Sequence, residues 1–319
     1  MKNKKIIFCT IFLCICIISF IYLFLFLSEN TKKTDSNKTV NVVFTTDVNY
    51  KNYLKTTLRS AIASKNPDSV YNINILCVDL SKKDCNEYKK FEAKNVNINL
   101  VPVNLDSIKD VGNYEIEYRV TRADLFKFFM PDLFPDLDKI LYIDVDTAIV
   151  KDLTDLYNTD LKDKFIAVVN KPIEDYDTIL IRGKFYPKKV RKYNCGVILY
   201  NLNLWRKYGI SKKLVHKKNI DEERELMTQN IFNNVLPQNK IVKLAPIYNV
   251  MIQWYDVAMY KRYFSVFAYF PYCALHSCRF EKLLDNAVII HYLDREKAWE
   301  RRNDLSNYWL KYVKDEDYK

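Results

Sequence analysis

Two aspartates, Asp144 and Asp146, interrupt an apolar run that reaches from Ile140 to Val150. A spacing of two puts both on one side of an extended chain. Like charges that close repel, and a buried carboxylate without a partner costs several kcal/mol, so the pair calls for a cation or a raised pKa. A hard divalent ion held by oxygen answers that need and keeps positions open for phosphate oxygens. If the strand ended before Asp144, both acids would instead be solvated loop residues. Their place at the carboxyl end of a strand, where open α/β sheets bind ligands, tips the reading toward chemistry.

Residues that could join them carry weaker signals alone. His291 follows an apolar run at residues 287–290, and a histidine so placed is more often structural than a ligand. Lys127 lies in an aromatic segment, where a lysine commonly snorkels to the surface. Asp47 precedes a helical stretch and reads as an N-cap. Of the eight cysteines, Cys9, Cys14 and Cys16 fall in an N-terminal apolar run, and Cys77, Cys85, Cys195, Cys273 and Cys278 form no CxxC pair. Cys273, His276 and Cys278 offer three ligands without a fourth, which argues against zinc. The four glycines, Gly112, Gly183, Gly196 and Gly209, include no Gly-rich phosphate loop, so phosphate binding must use another device.

The elements that must position these groups follow an α/β pattern, with apolar strand-like runs alternating with longer mixed segments and a largely parallel sheet expected. Strands are expected at residues 40–44, 73–78, 96–103, 139–144, 165–170 and 194–201. Helices are expected at 50–64, 82–94 and 121–130, the last stopping at Pro131. With 319 residues, 49% of them hydrophobic, the chain can close a sizeable core, which excludes disorder over most of its length.

Residues 6–27 are 22 consecutive residues without a charge. As a helix they span about 33 Å, enough for the hydrocarbon core of a bilayer. The run ends at Phe26, Leu27, Ser28 and Glu29 rather than at small residues, which favours an uncleaved anchor over a signal peptide. The expected order is a short tail (1–5), a transmembrane anchor (6–27), a polar stem (28–40), a catalytic domain (41–312) and a C-terminal tail (313–319). Lys2, Lys4 and Lys5 before the span are balanced by Lys32, Lys33 and Lys38 after it, so charge does not choose the orientation. A single-pass membrane protein is expected, type II in the Golgi or ER of a eukaryote or in the inner membrane of a bacterium. The net charge of +11 suits anionic partners in general. The basic residues are scattered, without an RNP-like, zinc-finger or recognition-helix signature, so nucleic acid is not an expected partner.

Five segments carry a more specific likeness. They are residues 42–50, with Thr45, Asp47, Asn49 and Tyr50; residues 125–131 around Lys127; and residues 144–156, opening on Asp144, Val145 and Asp146. The others are residues 193–206, with Asn194, Cys195, Gly196, Asn201, Trp205 and Arg206, and residues 289–299, with His291, Lys297 and Trp299. Together they resemble the retaining glycosyltransferases of family 8, the group of glycogenin and the bacterial lipopolysaccharide galactosyl- and glucosyltransferases. The resemblance implies a GT-A fold, a Rossmann-like nucleotide-diphospho-sugar transferase domain that uses a nucleotide-sugar with Mn²⁺ or Mg²⁺. It assigns the metal to Asp144, Asp146 and His291. It places Thr45, Asp47, Asn49 and Tyr50 at the nucleotide, with Asp47 accepting from the uracil and Tyr50 stacking on it. Lys127, Val145 and Asn194 would face the donor, and Lys297 its diphosphate. The family's D-Q-D-x-x-N block stands here as Thr228, Gln229, Asn230 and Asn233, which keeps the glutamine and loses both acids that help hold the transferred sugar. Thr228, Gln229 and Asn230 remain the expected donor contacts. Asp294 replaces a glycine of the last block.

The resemblance therefore implies transfer of a hexose or pentose from a nucleotide-sugar, a UDP-sugar above all, to a glycan, glycolipid or glycoprotein. Separating a sugar from a diphosphate builds negative charge on the leaving oxygens while the sugar becomes oxocarbenium-like. A divalent ion with Lys127 and Lys297 nearby would stabilise that charge. With no carboxylate nucleophile at 228 or 230, front-face attack by the acceptor is expected, with Gln229 and Asn194 as the catalytic residues. Two alternatives stand beside it. One is an inactive membrane-tethered module that binds nucleotide or glycan on the same fold. The other is a phosphatase of haloacid-dehalogenase type with Asp144 as nucleophile and Asp146 as general acid, although Ala148 stands where that family has Thr or Val.

Overall fold

A computed structural model of the chain describes residues 38–104, 106, 122–171, 175–181, 184–190, 192–216, 227–252, 281–293, 297–300 and 304–318. The chain divides into Met1–Asn37, which lies outside the described residues together with the expected span 6–27, and a compact unit, Lys38–Lys319. Cys273, His276, Cys278, Asp294 and Arg295 are outside them as well. Among the described residues no helix is long and apolar enough to cross a membrane.

The centre is a seven-stranded sheet in the order β10-β6-β9-β4-β1-β2-β3. Its strands are β1 (Thr39–Thr46), β2 (Val70–Val78), β3 (Val96–Val103), β4 (Lys139–Ile143), β6 (Ile166–Asn170), β9 (Tyr193–Asn201) and β10 (Ile241–Lys243). Six of the seven were expected close to these positions, and β10 was not. The sheet is largely parallel, as expected, and is mixed only because β9 runs antiparallel to both β4 and β6. Between β6 and β9 the chain makes an unanticipated antiparallel hairpin, β7 (Asp175–Ile181) with β8 (Lys184–Val190).

Both faces of the sheet are covered, so its central strands are buried almost throughout rather than on alternate residues. On one face Val42, Phe44, Ile73 and Ile75 pack with Leu54, Leu58 and Ala61 of helix α1 (Lys51–Ser64). On the other, Val43, Ile140, Tyr142 and Tyr200 meet Phe126, Phe128, Trp205 and Phe232. The expected helix at 121–130 is instead a 3₁₀ helix, Arg122–Phe129, followed by an α-helical turn α2 (Met130–Leu133). Pro131 does not end it: it sits in the first turn of α2, where a missing N–H costs nothing. The expected helix at 82–94 is likewise split, with Lys82–Asn86 α-helical and Glu87–Phe91 3₁₀.

A second, three-stranded sheet has the order β11 (Val250–Met251), β12 (Ile289–His291) and β5 (Thr147–Ile149). Chain passing from β4 to β5 therefore changes sheet at Asp144, Val145 and Asp146. Helix α1 pins this crossing. The buried Thr57 hydroxyl donates to the carbonyl oxygen of Thr147 at 3.0 Å, and the Ile149 N–H donates to Ser60 Oγ at 3.0 Å. The last turn, Asp315–Tyr318, assigned to the tail by sequence, folds back on α1, where buried Asp317 pairs with Arg59.

Candidate active site

Strand β4 ends at Ile143, so the two acids are loop residues rather than the last residues of an extended strand. They are nonetheless largely buried, with side chains 23% and 13% exposed for Asp144 and Asp146. The sheet crossing buries them. The Asp144 N–H donates to the Gly196 carbonyl at 2.8 Å on the β9 side, and the Asp146 carbonyl accepts from the Tyr292 N–H at 2.9 Å on the β12 side. Each acid is thus tied to a different sheet.

His291, at the end of β12, is fully buried beside them. Its Nε2 lies 3.1 Å from Asp146 Oδ1 and 3.8 Å from Asp144 Oδ2, and ligand atoms of the three residues all fall within 4.8 Å of one another. Two carboxylate oxygens and one imidazole nitrogen make a donor set that suits Mn²⁺ or Mg²⁺.

A hydrogen-bond chain decides which imidazole nitrogen is available. The Gly196 N–H donates to Asn194 Oδ1 at 2.8 Å, so that atom is an acceptor. Asn249 Nδ2 donates to the same oxygen at 2.8 Å, which turns Asn249 Oδ1 toward His291. His291 Nδ1–H then donates to Asn249 Oδ1 at 3.0 Å, which leaves Nε2 facing the acids. An outer partner that fixes tautomer and ring orientation is the usual support of a metal-ligating histidine. Gly196 is needed for more than its N–H. A Cβ there would lie 2.0 Å from His291 Cε1 and 2.7 Å from Asp144 Oδ2, so only glycine lets β9 pass beneath the cluster.

Each acid also has its own ammonium. Lys297 Nζ donates to Asp146 Oδ2 at 2.6 Å and to the Tyr292 carbonyl at 3.1 Å. Lys127, expected to be either a donor contact or a snorkelling surface residue, is buried with its Nζ 2.9 Å from Asp144 Oδ1 and bonded to Asp124. The Tyr142 hydroxyl donates to Asp144 Oδ1 at 2.7 Å. Burial would lower both lysines, but Asp124 and Asp144 hold Lys127 well above its ordinary value, and Asp146 raises Lys297. The two acids separate. Burial raises Asp144, with Lys127 opposing and Asp146 and Asp124 adding to the rise. At Asp146 the same burial is overcome by Lys297 and His291, which pull its carboxyl far below the usual range.

The other expected residues gather around this centre. Gln229 Oε1 accepts from Asn194 Nδ2 at 3.0 Å. Helix α3 (Met227–Val235), which carries Thr228, Gln229 and Asn230, is docked on the start of β9 by Asn233. Asn233 Oδ1 accepts from the Tyr193 N–H at 2.9 Å, and its Nδ2 donates to the Tyr193 carbonyl at 3.0 Å. Thr228 donates to Asp124, so a carboxylate faces the position where the family block has its own acid. At the end of β1, Asp47 Oδ1 accepts from the N–H groups of Asn49 and Tyr50 at 2.9 and 3.1 Å and so holds the turn into α1. The Tyr50 ring lies edge-on to Trp299 at 6.2 Å. Thr45 Oγ1 is buried without a hydrogen-bond partner among the described residues. Val145 is buried in the loop between the acids.

Asp124, Asn249 and the steric role of Gly196 escaped the sequence reading. Asp124 stands three residues before Lys127, a helical pairing distance that could have raised it. A glycine inside a strand is a signal of close backbone approach. Asn249 has no local signal.

A mixed α/β sheet with a carboxylate cluster at its strand ends defines a GT-A-type glycosyltransferase fold. The solved structure of an LgtC active-site variant superposes with a TM-score of 0.65 at 21% identity, covering 87% of this chain and 98% of that one. The chain belongs to glycosyl transferase family 8, whose model matches residues 41–303. Relatives include the glycosyltransferase GlyD of Streptococcus pneumoniae, 25% identical over 271 residues that make up 82% of this chain and 29% of GlyD. General stress protein A of Bacillus subtilis is 23% identical over 276 residues, 82% of this chain and 87% of that protein. The chain therefore spans less than a third of GlyD.

Proposed function

We propose that the protein is a retaining glycosyltransferase that moves a hexose or pentose from a UDP-sugar to a hydroxyl of a glycan, glycolipid or glycoprotein. Asp144, Asp146 and His291 would hold Mn²⁺ or Mg²⁺, which when bound supplies a Lewis acid for the diphosphate oxygens. The observation that carries this reading is the convergence of those three residues within 4.8 Å, with Nε2 of the imidazole directed at the acids.

Lys297, the ammonium partner of Asp146, stabilises the charge that grows on the departing diphosphate. Tyr50 and Trp299 offer aromatic faces for the base, and the orphaned hydroxyl of Thr45 awaits a polar partner from the nucleotide. Asn194 and Gln229 flank the anomeric carbon. The acceptor oxygen bonds to that carbon on the face from which the diphosphate oxygen departs, and its proton passes to the leaving phosphate. Residues 6–27 serve as an uncleaved anchor, a reading supported by their length and lack of charge.

The test is hydrolysis of a panel of nucleotide-sugars by the full chain with Mn²⁺ and with EDTA. Turnover that needs Mn²⁺ supports the reading. UDP binding without turnover of any donor would favour an inactive module. Turnover indifferent to EDTA would sink the metal assignment.

A further inference from the structure

We infer that Asp124 is a specificity-determining residue at the sugar end of the donor site, binding sugar hydroxyls and favouring a neutral sugar over a uronic acid. The inference rests on the donor reading above and names the substrate class for it.

A nucleotide-sugar is a linear molecule of base, ribose, diphosphate and sugar. A cation on Asp144, Asp146 and His291 would hold its diphosphate in the middle. The base end is marked by Tyr50, which meets Trp299 in the turn that also carries Lys297, the partner of Asp146. On the opposite flank Asp144 is held by Lys127, and beyond Lys127 stand Asp124 and Thr228. Next to Thr228 in the chain, Gln229 bonds Asn194, and Asn194 leads through Asn249 back to His291. A sugar leaving the cation away from Tyr50 therefore meets Asp124, Thr228 and Gln229.

The simplest rival is that Asp124 only neutralises buried Lys127. Asp144 already does so at 2.9 Å, and adding Asp124 leaves three carboxylates against two lysines. Exposure points the same way. The Lys127 side chain is 4% exposed and the Asp124 side chain 21%, so the carboxylate is the more accessible member of this pair. A carboxylate accepts about four hydrogen bonds. Lys127 and Thr228 take one each, and the remainder suit vicinal hydroxyls in charge-assisted bonds. Thr228 spends its proton on Asp124 and is left as an acceptor. The same site disfavours a sugar carboxylate, which would lie beside the charge of Asp124.

The test compares UDP-hexoses and UDP-hexuronates as hydrolysis substrates of the full chain, with Mn²⁺-dependent binding of UDP alone as the reference. Wild type is expected to prefer a neutral donor. Asp124→Asn should leave UDP binding unchanged, lower kcat/KM for that donor by about 10²-fold, and narrow its preference over the uronate. Thr228→Val should lower sugar turnover in the same sense with UDP binding intact. The double exchange Asp124→Thr with Thr228→Asp, which moves the acid across one contact, should recover turnover relative to Asp124→Asn. Equal losses of UDP binding and donor turnover in Asp124→Asn and Thr228→Val, or a wild type that prefers a uronate, would overturn the assignment. A wild type that binds no UDP with Mn²⁺ would remove the donor reading itself and this role with it.

Discussion

Asp152 and the pair Asp144 and Asp146 belong to one stretch of chain, yet they are satisfied in different ways. Asp152 is held by neutral, fixed donors: the Thr154 N–H at 2.9 Å, the Asn66 N–H at 2.8 Å and the Tyr71 hydroxyl at 2.9 Å. Those bonds overcome burial and keep its carboxyl below the ordinary range. Asp144 and Asp146 depend instead on ammonium groups and an imidazole. Backbone donors have nowhere else to go, so Asp152 is part of the scaffold. Side-chain cations can rearrange around a ligand, so the pair is available for chemistry.

That contrast can be tested from its functional end to its structural end. Asp146→Asn should lower donor hydrolysis by about 10³-fold or more, because it removes a proposed metal ligand and the partner of Lys297 together. Circular dichroism should show the fold retained. Gly196→Ala should cost about 10²-fold in activity by displacing His291 and Asp144. It should also cost about 1–3 kcal/mol of stability in denaturant titrations, since the new methyl overpacks a closed site. Asn249→Leu leaves the imidazole without its outer partner and should weaken Mn²⁺ binding, read by calorimetry, by about 10- to 100-fold.

Asp152→Asn should leave turnover unchanged and lower stability at neutral pH by about 1–3 kcal/mol, as for a carboxylate that loses its hydrogen-bonded charge. The sign of its pH dependence follows from a folded pKa below the unfolded one. The Asp152 contribution is complete above the unfolded value of about 3.9 and is lost as pH falls through the lower folded value. Wild type and variant should therefore converge in acid. A variant that loses turnover instead would erase the distinction between the two kinds of acid.

Much of the site was legible because its signals are local. The spacing of Asp144 and Asp146, the apolar run before them and the strand-turn-helix at Thr45 to Tyr50 need only neighbouring residues. The same holds for β1, α1 and β4, whose apolar residues are mostly buried. Other elements were misread where tertiary context overrode the local pattern. Pro131 was taken as a stop and instead opens a helical turn, and the reversed direction of β9 was not foreseen because nothing in its own residues encodes it.

The sequence by itself determined the carboxylate pair, the family and the alternation of strands and helices, since each is written in residue type and short-range spacing. Only the tertiary structure decided what the pair meets. His291 reaches Asp146 across 145 positions, Asn249 reaches His291 across 42, and Thr228 reaches Asp124 across 104. Such contacts arise when two sheets and a helix close around one glycine. Their registers are set by packing of the whole domain, which no local period records.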